Sequence, residues 1–240
     1  MLIKYPRAIA CGDSGVSIEF GDCIDELSNR KVLALDSSLQ DQNVAGIIET
    51  VPTYRALMIH YDPIMISYAD VAAKALNLAN NVKPDQHTGR LLRIPVCYEG
   101  DYGPDLQEVS DFFGMRRADF IDRHLAGEYR VFMLGFQPGF AYLGGLDPSL
   151  VIPRRAQPRF GAPAGTISIA AGQCAVHAVE GPSGWHWIGR TPLQTFAYDG
   201  RLTSLIEPGD RIKFYAVSAG EWRSIQRSGV GSAEALKRVS

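Results

Sequence analysis

Residues 165–198 read GTISIAAGQCAVHAVEGPSGWHWIGRTPLQTFAY, a run of short apolar segments separated by glycine- and proline-containing turns. Strands are predicted at 165–170, 174–179, 185–190 and 193–198, and a further one at 211–217. Short strands at this spacing are typical of a barrel or a sandwich. The C-terminal half of the chain is therefore predicted to form a β-barrel or a β-sandwich.

The first third of the chain instead alternates between strand and helix patterns. Residues 16–20 alternate apolar and polar side chains, and strands at 44–51 and 56–61 are predicted to form a hairpin. One helix is predicted from Asp22, and a second one from Ser67 as its N-cap. The apolar face of the first helix is predicted to contain Ile24, Leu27, Ala34 and Leu35.

The polar segment 80–87 contains Pro84 and separates these two patterns, so we expect a domain boundary near residue 88. The predicted fold class is α+β, with a small N-terminal α/β domain over 1–88 and a β-barrel domain over 89–240. Two short helices are predicted at 105–113 and 118–125. Residues 135–163 are expected to be a long ordered loop, and the last ten residues a frayed tail.

Composition excludes several classes of function. The 240 residues have a net charge of −2, so the basic surface of a nucleic-acid binder is not expected. The four cysteines form no CxxC pair, and the N-terminus has no apolar signal segment. Residues 160–179 contain too many glycines and polar groups for a membrane span. These features predict a cytoplasmic protein with reduced thiols and no membrane partner.

Three short motifs are compatible with chemistry but have simpler interpretations. Gly12-Asp13-Ser14-Gly15 resembles a nucleophile turn, yet a polar turn that enters a strand explains it. Cys174 and His177 lie three apart on one strand, so they are expected to point to opposite faces rather than form a dyad. His177 and His186 lack a third metal ligand, and the sequence has no phosphate-binding P-loop.

The segment 135–146, GFQPGFAYLGGL, combines glycines that permit close backbone approach with aromatic walls. It predicts a ligand site, although a loop that closes the barrel is the alternative. Arg154, Arg155 and Arg159 follow, and guanidinium groups suit carboxylate or phosphate recognition unless the cluster is merely solvated. The predicted site at the barrel mouth consists of Phe136, Gln137, Pro138, Gly139, Phe140, Arg159, Gln173, His177, Glu180, Trp185 and Arg190.

We expect Arg190 or Arg159 to bind a carboxylate, Gln173 to bind an amide, and Trp185 and Phe136 to form the walls. A structural ion pair between Arg190 and Glu180 is the alternative. No catalytic residue and no metal ligand is assigned. The site is expected to be completed by a partner chain.

Five segments together resemble one family. They are VPTYRALMIHYDP (51–63), RIPVCYEGDYGPDLQEV (93–109), GFQPGFAYLGGLDPSLVIPRRAQPR (135–159), PAGTISIAAGQ (163–173) and EGPSGWHWIGRTPLQTF (180–196). In this order they resemble the 5-oxoprolinase B-subunit family, which includes the sporulation kinase A inhibitor, and subdomains C and D of the urea carboxylase carboxyltransferase. The sequence departs from the family pattern at several positions, among them Gln137, Gly161, Cys174, His177 and Gly181.

The resemblance implies a cyclophilin-like barrel and a protein that, with subunits A and C, opens 5-oxoproline to glutamate in an ATP-dependent reaction. It implies an enzyme component without independent activity, a small-molecule substrate, and ATP used by the complex. This chain has no biotin-accepting motif. The alternatives are a subunit related to allophanate hydrolase or urea carboxylase, and a regulatory inhibitor of a sensor histidine kinase.

Overall fold

The structure, a computed structural model, describes residues 3–84, 89–198 and 202–228. Its internal contacts divide the chain into two compact units, Met1–Thr88 and Gly89–Ser240. The first is a small layer of helices on a sheet, and the second is built around a barrel-like sheet. The molecule is therefore mixed α/β, and each unit is described by itself.

The first unit packs two helices on a four-stranded antiparallel sheet with strand order β1-β2-β4-β3. Its elements are β1 (Arg7–Ala10), β2 (Gly15–Glu19), α1 (Glu26–Gln42), β3 (Ile47–Pro52), β4 (Ala56–Tyr61) and α2 (Tyr68–Asn81). The Ser67 side chain accepts a hydrogen bond from the Asp70 amide and thereby caps α2. Apolar side chains from both helices and from β2 and β4 form one buried core.

The second unit contains a seven-stranded sheet with strand order β12-β9-β10-β7-β6-β15-β5. These strands are β5 (Leu91–Val96), β6 (Tyr129–Leu134), β7 (Ala141–Gly144), β9 (Thr166–Ala170), β10 (Gln173–Val176), β12 (His186–Arg190) and β15 (Arg211–Ala216). An antiparallel bridge joins Cys97, just after β5, to Arg190 at the end of β12. Because this bridge connects the two edges, the sheet is barrel-like and nearly closed.

The remaining elements cover this barrel or extend its rim. They are α3 (Leu106–Phe112), α4 (Arg117–Ala126), β8 (Arg159–Ala162), β11 (Gly181–Ser183), β13 (Phe196–Tyr198), β14 (Leu202–Ser204) and α5 (Ala219–Arg227). β8 pairs with β11, and β13 pairs with β14. Within the described residues, no helix is long and apolar enough to cross a bilayer.

The two faces of the β9–β10 hairpin have different surroundings. Ile167, Ile169 and Cys174 belong to the main apolar core. Ala170 and Ala175 lie on the opposite face, where they pack with Phe140 and Trp185 in a separate small cluster. The alternation of side chains along a strand thus separates the core of the barrel from the face that carries the candidate site.

The N-terminal unit differs from the predictions at two places. Helix α1 starts at Glu26 rather than Asp22, because the Asp25 side chain accepts a hydrogen bond from the Ser28 amide as its N-cap. Ile24 and Leu27 are therefore exposed instead of facing the core. Helix α2 continues to Asn81, into the segment predicted as a linker.

In the C-terminal unit, the predicted loop 135–163 contains two strands, β7 and β8. The predicted strand 193–198 is shorter and forms only at Phe196–Tyr198. Helix α5 was not predicted, although Ser218 and Glu221 form a capping box at its start. The last ten residues, and the turn expected at Asp199-Gly200, lie outside the described residues.

Candidate functional site

Five of the eleven predicted site residues line two separate cavities. The first, here called the aromatic cavity, has a volume of about 340 Å³. Its walls contain Phe136, Phe140, Tyr142 and Trp185, and its rim contains Arg154. Phe136, Phe140 and Trp185 are thus brought together from two separate segments of the chain.

The four rings form a connected set of edge-to-face and tilted contacts. The Phe140 ring centroid lies 5.5 Å from Phe136 and 4.8 Å from Tyr142, and Tyr142 lies 5.9 Å from Trp185. Phe140 and Trp185 are buried, whereas Phe136 is 64% exposed. The cavity therefore has a fixed apolar floor and one exposed ring at its entrance.

The loop that places these rings has an unusual backbone. Phe136 has φ of 68°, a left-handed conformation that is rare and costly for a residue with a side chain. Gly139 has φ of 70°, and a Cβ there would lie 2.6 Å from Cβ of Phe196 and 2.8 Å from Cβ of Ala178. A glycine is therefore required at 139 by both conformation and space.

The three neighbouring arginines have different roles. Arg159 forms an ion pair with the buried Asp105 and stacks 3.9 Å above the Trp187 ring. Arg155 forms an ion pair with Glu108 at 3.0 Å and approaches Asp105 at 3.6 Å. These hydrogen bonds use Nη1 of Arg155 and Nη2 of Arg159, and the binding of a ligand carboxylate by Arg159 stays a prediction.

Arg154 and Arg155 both line the aromatic cavity, and Arg154 is the one that forms no ion pair with Glu108 or Asp105. Its guanidinium lies 5.8 Å from the Trp185 ring centroid, and the side chain is exposed. Burial raises the pKa of Tyr142, and the positive charge of Arg154 opposes this rise. Among the described residues, Arg154 has no carboxylate within ion-pair distance. It is therefore available to an anionic ligand.

The second cavity, here called the polar cavity, has a volume of about 560 Å³. It lies beside the end of β12 and contains Glu180, Arg190, Gln194 and Phe196 in its lining. The alternative ion pair between Glu180 and Arg190 does not form, and within the described ranges Arg190 has no acidic partner. These two predicted site residues thus belong to a different cavity from Phe136 and Trp185.

Gln137 and Gly181 lie in contact between the two cavities. The Gln137 side-chain amide donates to the Glu180 carbonyl at 3.5 Å, and a Cβ on Gly181 would lie 1.9 Å from Nε2 of Gln137. Both residues depart from the family pattern. A side chain at 181 would therefore require the Gln137 amide to move.

His177 is fully buried behind Phe140 and lines neither cavity. Its Nε2 lies 2.9 Å from the Ser168 hydroxyl, and its ring centroid lies 4.7 Å from that of Phe140. Burial lowers the pKa of His177 to about 4, so the ring is neutral at physiological pH. Its Nδ1 has no hydrogen-bond partner among the described residues.

The remaining candidates do not line either cavity. Cys174 lies on the core side of the sheet, where its Sγ is 3.7 Å from Nε2 of His124, so it forms no dyad with His177. Gln173 begins β10, and Pro138 lies in the loop between Gln137 and Gly139. His186 contacts the Pro153 carbonyl at 3.0 Å. The described part of the chain holds no group of three potential metal ligands.

Because His124 and His177 are buried, we expect the stability of the protein to depend on pH. Burial lowers the pKa of His124 to about 3 and that of His177 to about 4, from a usual value of 6.5. Below pH 6.5 the unfolded chain binds protons that the folded chain does not, so stability is lost as the pH falls toward 4. The loss is expected to approach about 1.4 kcal/mol per pH unit for each histidine.

Urea denaturation at pH 7.5, 5.5 and 4.5 measures this effect. The variant His177→Gln is expected to show a shallower pH dependence than the wild type. An unchanged slope in this variant would contradict the assignment of the effect to His177.

Comparisons with known proteins identify the family to which this chain belongs. Residues 6–205 match the family model described as carboxyltransferase domain, subdomain C and D, so the chain belongs to this family. A curated relative from Bacillus subtilis (strain 168), 35% identical over 93% of this chain and 98% of its own length, is named as the B subunit of 5-oxoprolinase. The predicted resemblance to the 5-oxoprolinase B-subunit family is thus confirmed.

Solved structures support the fold. The crystal structure of TTHA0988 has a TM-score of 0.75 at 32% identity over 85% of this chain, which spans 40% of the length of that protein. The urea amidolyase of Kluyveromyces lactis has a TM-score of 0.78 at 18% identity, and the match covers 92% of this chain and 15% of that one. This second likeness concerns the fold alone.

Proposed function

We propose that this protein is the B component of an ATP-dependent 5-oxoprolinase complex, which opens 5-oxoproline to glutamate together with subunits A and C. Family membership carries this proposal. The chain is part of an enzyme of the hydrolase class and has no independent activity. ATP enters as a co-substrate held largely by the partner subunits, since the sequence has no P-loop. We place the complex in the cytoplasm, in keeping with four unpaired thiols.

We further propose that the aromatic cavity binds the substrate. 5-Oxoproline is a small, nearly planar ring with one carboxylate, and the cavity offers aromatic walls together with Arg154, whose charge is unpaired among the described residues. In this arrangement the ring packs on Phe140 and Trp185 while the carboxylate pairs with Arg154. Phe136 is exposed at the entrance, where a partner chain can cover it and exclude water.

Within this proposal, the residues of this chain bind and orient the substrate rather than attack it. The imidazole of His177 is buried behind Phe140 and does not line the cavity, and neither does that of His186. Activation of the amide and attack by water therefore require groups from the other subunits. Fixing the ring against apolar walls lowers the entropic cost of those steps.

Coexpression with subunits A and C tests this function. We expect ATP-dependent release of glutamate from 5-oxoproline only when all three chains are present. Allophanate and urea serve as competing substrates, because the carboxyltransferase family makes an allophanate- or urea-related protein the second candidate. Turnover of allophanate without turnover of 5-oxoproline would overturn the assignment, as would absence of any activity in the purified complex.

The two compact units are proposed to be independently folding domains, the second a cyclophilin-like barrel. Their boundary falls in the polar segment that follows α2, where few apolar side chains are available to bury. We expect limited proteolysis to cut between residues 80 and 90 and to leave a C-terminal fragment that unfolds cooperatively. A fragment without a cooperative transition would contradict this division.

A further inference from the structure

We propose that the polar cavity is a second, separate binding site, which takes a small zwitterionic α-amino acid. The ligand carboxylate pairs with Arg190, and its ammonium group faces Glu180. This site lies outside the proposed 5-oxoproline site and does not depend on it.

Arg190 is held in place by its backbone and by two contacts of its side chain. The backbone of Arg190 exchanges two hydrogen bonds of 2.9 Å with Cys97 at the point where the barrel closes. Nε donates to the Ala164 carbonyl at 2.9 Å, and the guanidinium lies 5.3 Å from the Trp222 ring centroid. Trp222 is fixed in turn, because its Nε1 donates to the Arg190 carbonyl at 3.1 Å.

The charge of Arg190 is not compensated within the protein. Burial lowers the pKa of Arg190, and the more distant Tyr102 and Glu180 oppose this only in part. Within the described ranges, the terminal nitrogens of Arg190 donate to no acceptor and lie within ion-pair distance of no carboxylate. Arg155 and Arg159, which are similarly half-buried, both pair with acids. A guanidinium group that is fixed, partly buried and unpaired is suited to binding an oxyanion.

The carboxylate of Glu180 indicates that the ligand also carries an ammonium group. It lines the same cavity, is exposed, and interacts electrostatically with Arg190 without reaching it. A simple anion on Arg190 would also face this carboxylate, and a simple amine on Glu180 would also face the guanidinium. A molecule with a carboxylate and an ammonium group on one carbon matches both charges at once.

The rest of the cavity suits an amino-acid side chain. Gln194 and Gln226 offer amide groups, and Phe196 offers an apolar wall. The volume of about 560 Å³ is larger than the two charged groups need, so it accommodates a side chain of several heavy atoms.

Calorimetric titration of the full-length chain tests the site. The probes are L-glutamate, L-alanine, acetate, methylamine and inorganic phosphate. We expect both amino acids to bind and the three single-charge probes to bind at least tenfold more weakly. Arg190→Gln and Glu180→Gln are each expected to weaken amino-acid binding at least tenfold, and Arg190→Lys by less than Arg190→Gln.

Arg93→Gln is the matched control, because Arg93 also stacks on an aromatic ring, 5.4 Å from the Tyr215 centroid, and lines neither cavity. It is expected to bind as the wild type does. Since Glu180 is exposed, Glu180→Gln is expected to fold even if changes at Arg190 do not. Unchanged affinity in Glu180→Gln, equal binding of acetate or phosphate, or no binding of any probe would each overturn the proposal. Because the isolated chain is titrated without ATP, failure here leaves the 5-oxoprolinase assignment untouched.

Discussion

Replacement of Arg154 by alanine is expected to lower kcat/KM of the reconstituted complex for 5-oxoproline by about 10- to 100-fold, since a charge-assisted hydrogen bond contributes about 1.5–3 kcal/mol. Most of the change should be in KM, because the ion pair with the carboxylate is present in the bound substrate as well as in the transition state. The melting temperature should remain close to that of the wild type, because the Arg154 side chain is exposed and stacks only loosely on the Trp185 ring. Steady-state kinetics with the three purified proteins of the complex provide the measurement.

Arg154→Lys separates charge from geometry in the same assay. A lysine keeps the charge but loses the planar fork, so an intermediate activity is expected. Arg93→Ala, which removes another stacked arginine, should retain the wild-type kcat/KM. If Arg154→Ala also retains it, the carboxylate does not bind at the aromatic cavity.

Replacement of Asp105 by alanine is expected to destabilise the C-terminal unit by about 3–5 kcal/mol, the usual cost of removing one partner of a buried ion pair. Asp105 is 3% exposed and accepts hydrogen bonds from Arg159 and from the Trp187 amide, the latter at 2.7 Å. Its removal leaves a half-buried guanidinium and a backbone amide without their partner. Urea denaturation should show a lower midpoint with an unchanged m-value.

Asp119→Ala is the control for this prediction. Asp119 also forms a bidentate pair, with Arg116 at 2.6 and 2.8 Å, but both side chains are exposed. Solvent screens such a pair, so little change in stability is expected. Equal effects of the two substitutions would show that burial of Asp105 contributes nothing.

Local signals in the sequence were sufficient to predict several elements. The strand at Ala56–Tyr61 and the Ser67 cap of α2 agree with the structure, because alternation and capping depend on adjacent residues. The capping box at Ser218 and Glu221 is an equally local signal for α5 and could have been used. The formation of strand β5 depends less on neighbouring residues, because its partner β15 lies more than a hundred residues later in the chain.

In the candidate site too, local sequence predicts some features, and others depend on residues that are distant in the chain. Phe136, Phe140 and Trp185 could be grouped because glycine-rich segments next to aromatic residues are recognisable in the sequence. The role of Arg159 could not be predicted, because its partner Asp105 is 54 residues away and carries no motif. The assignment of Arg190 and Glu180 to a separate cavity depends likewise on how the turn around Gly181 packs against Gln137.

The bridge between Cys97 and Arg190 has a consequence for the kinetics of folding. Its two residues are separated by about ninety positions, so closing this loop costs about 4 kcal/mol of chain entropy. The β9–β10 hairpin needs only the turn at Ala171 and Gly172 and can form much earlier. Closure of the barrel is therefore expected to follow the rate-limiting step, so that a substitution weakening the bridge accelerates unfolding and leaves the folding rate almost unchanged.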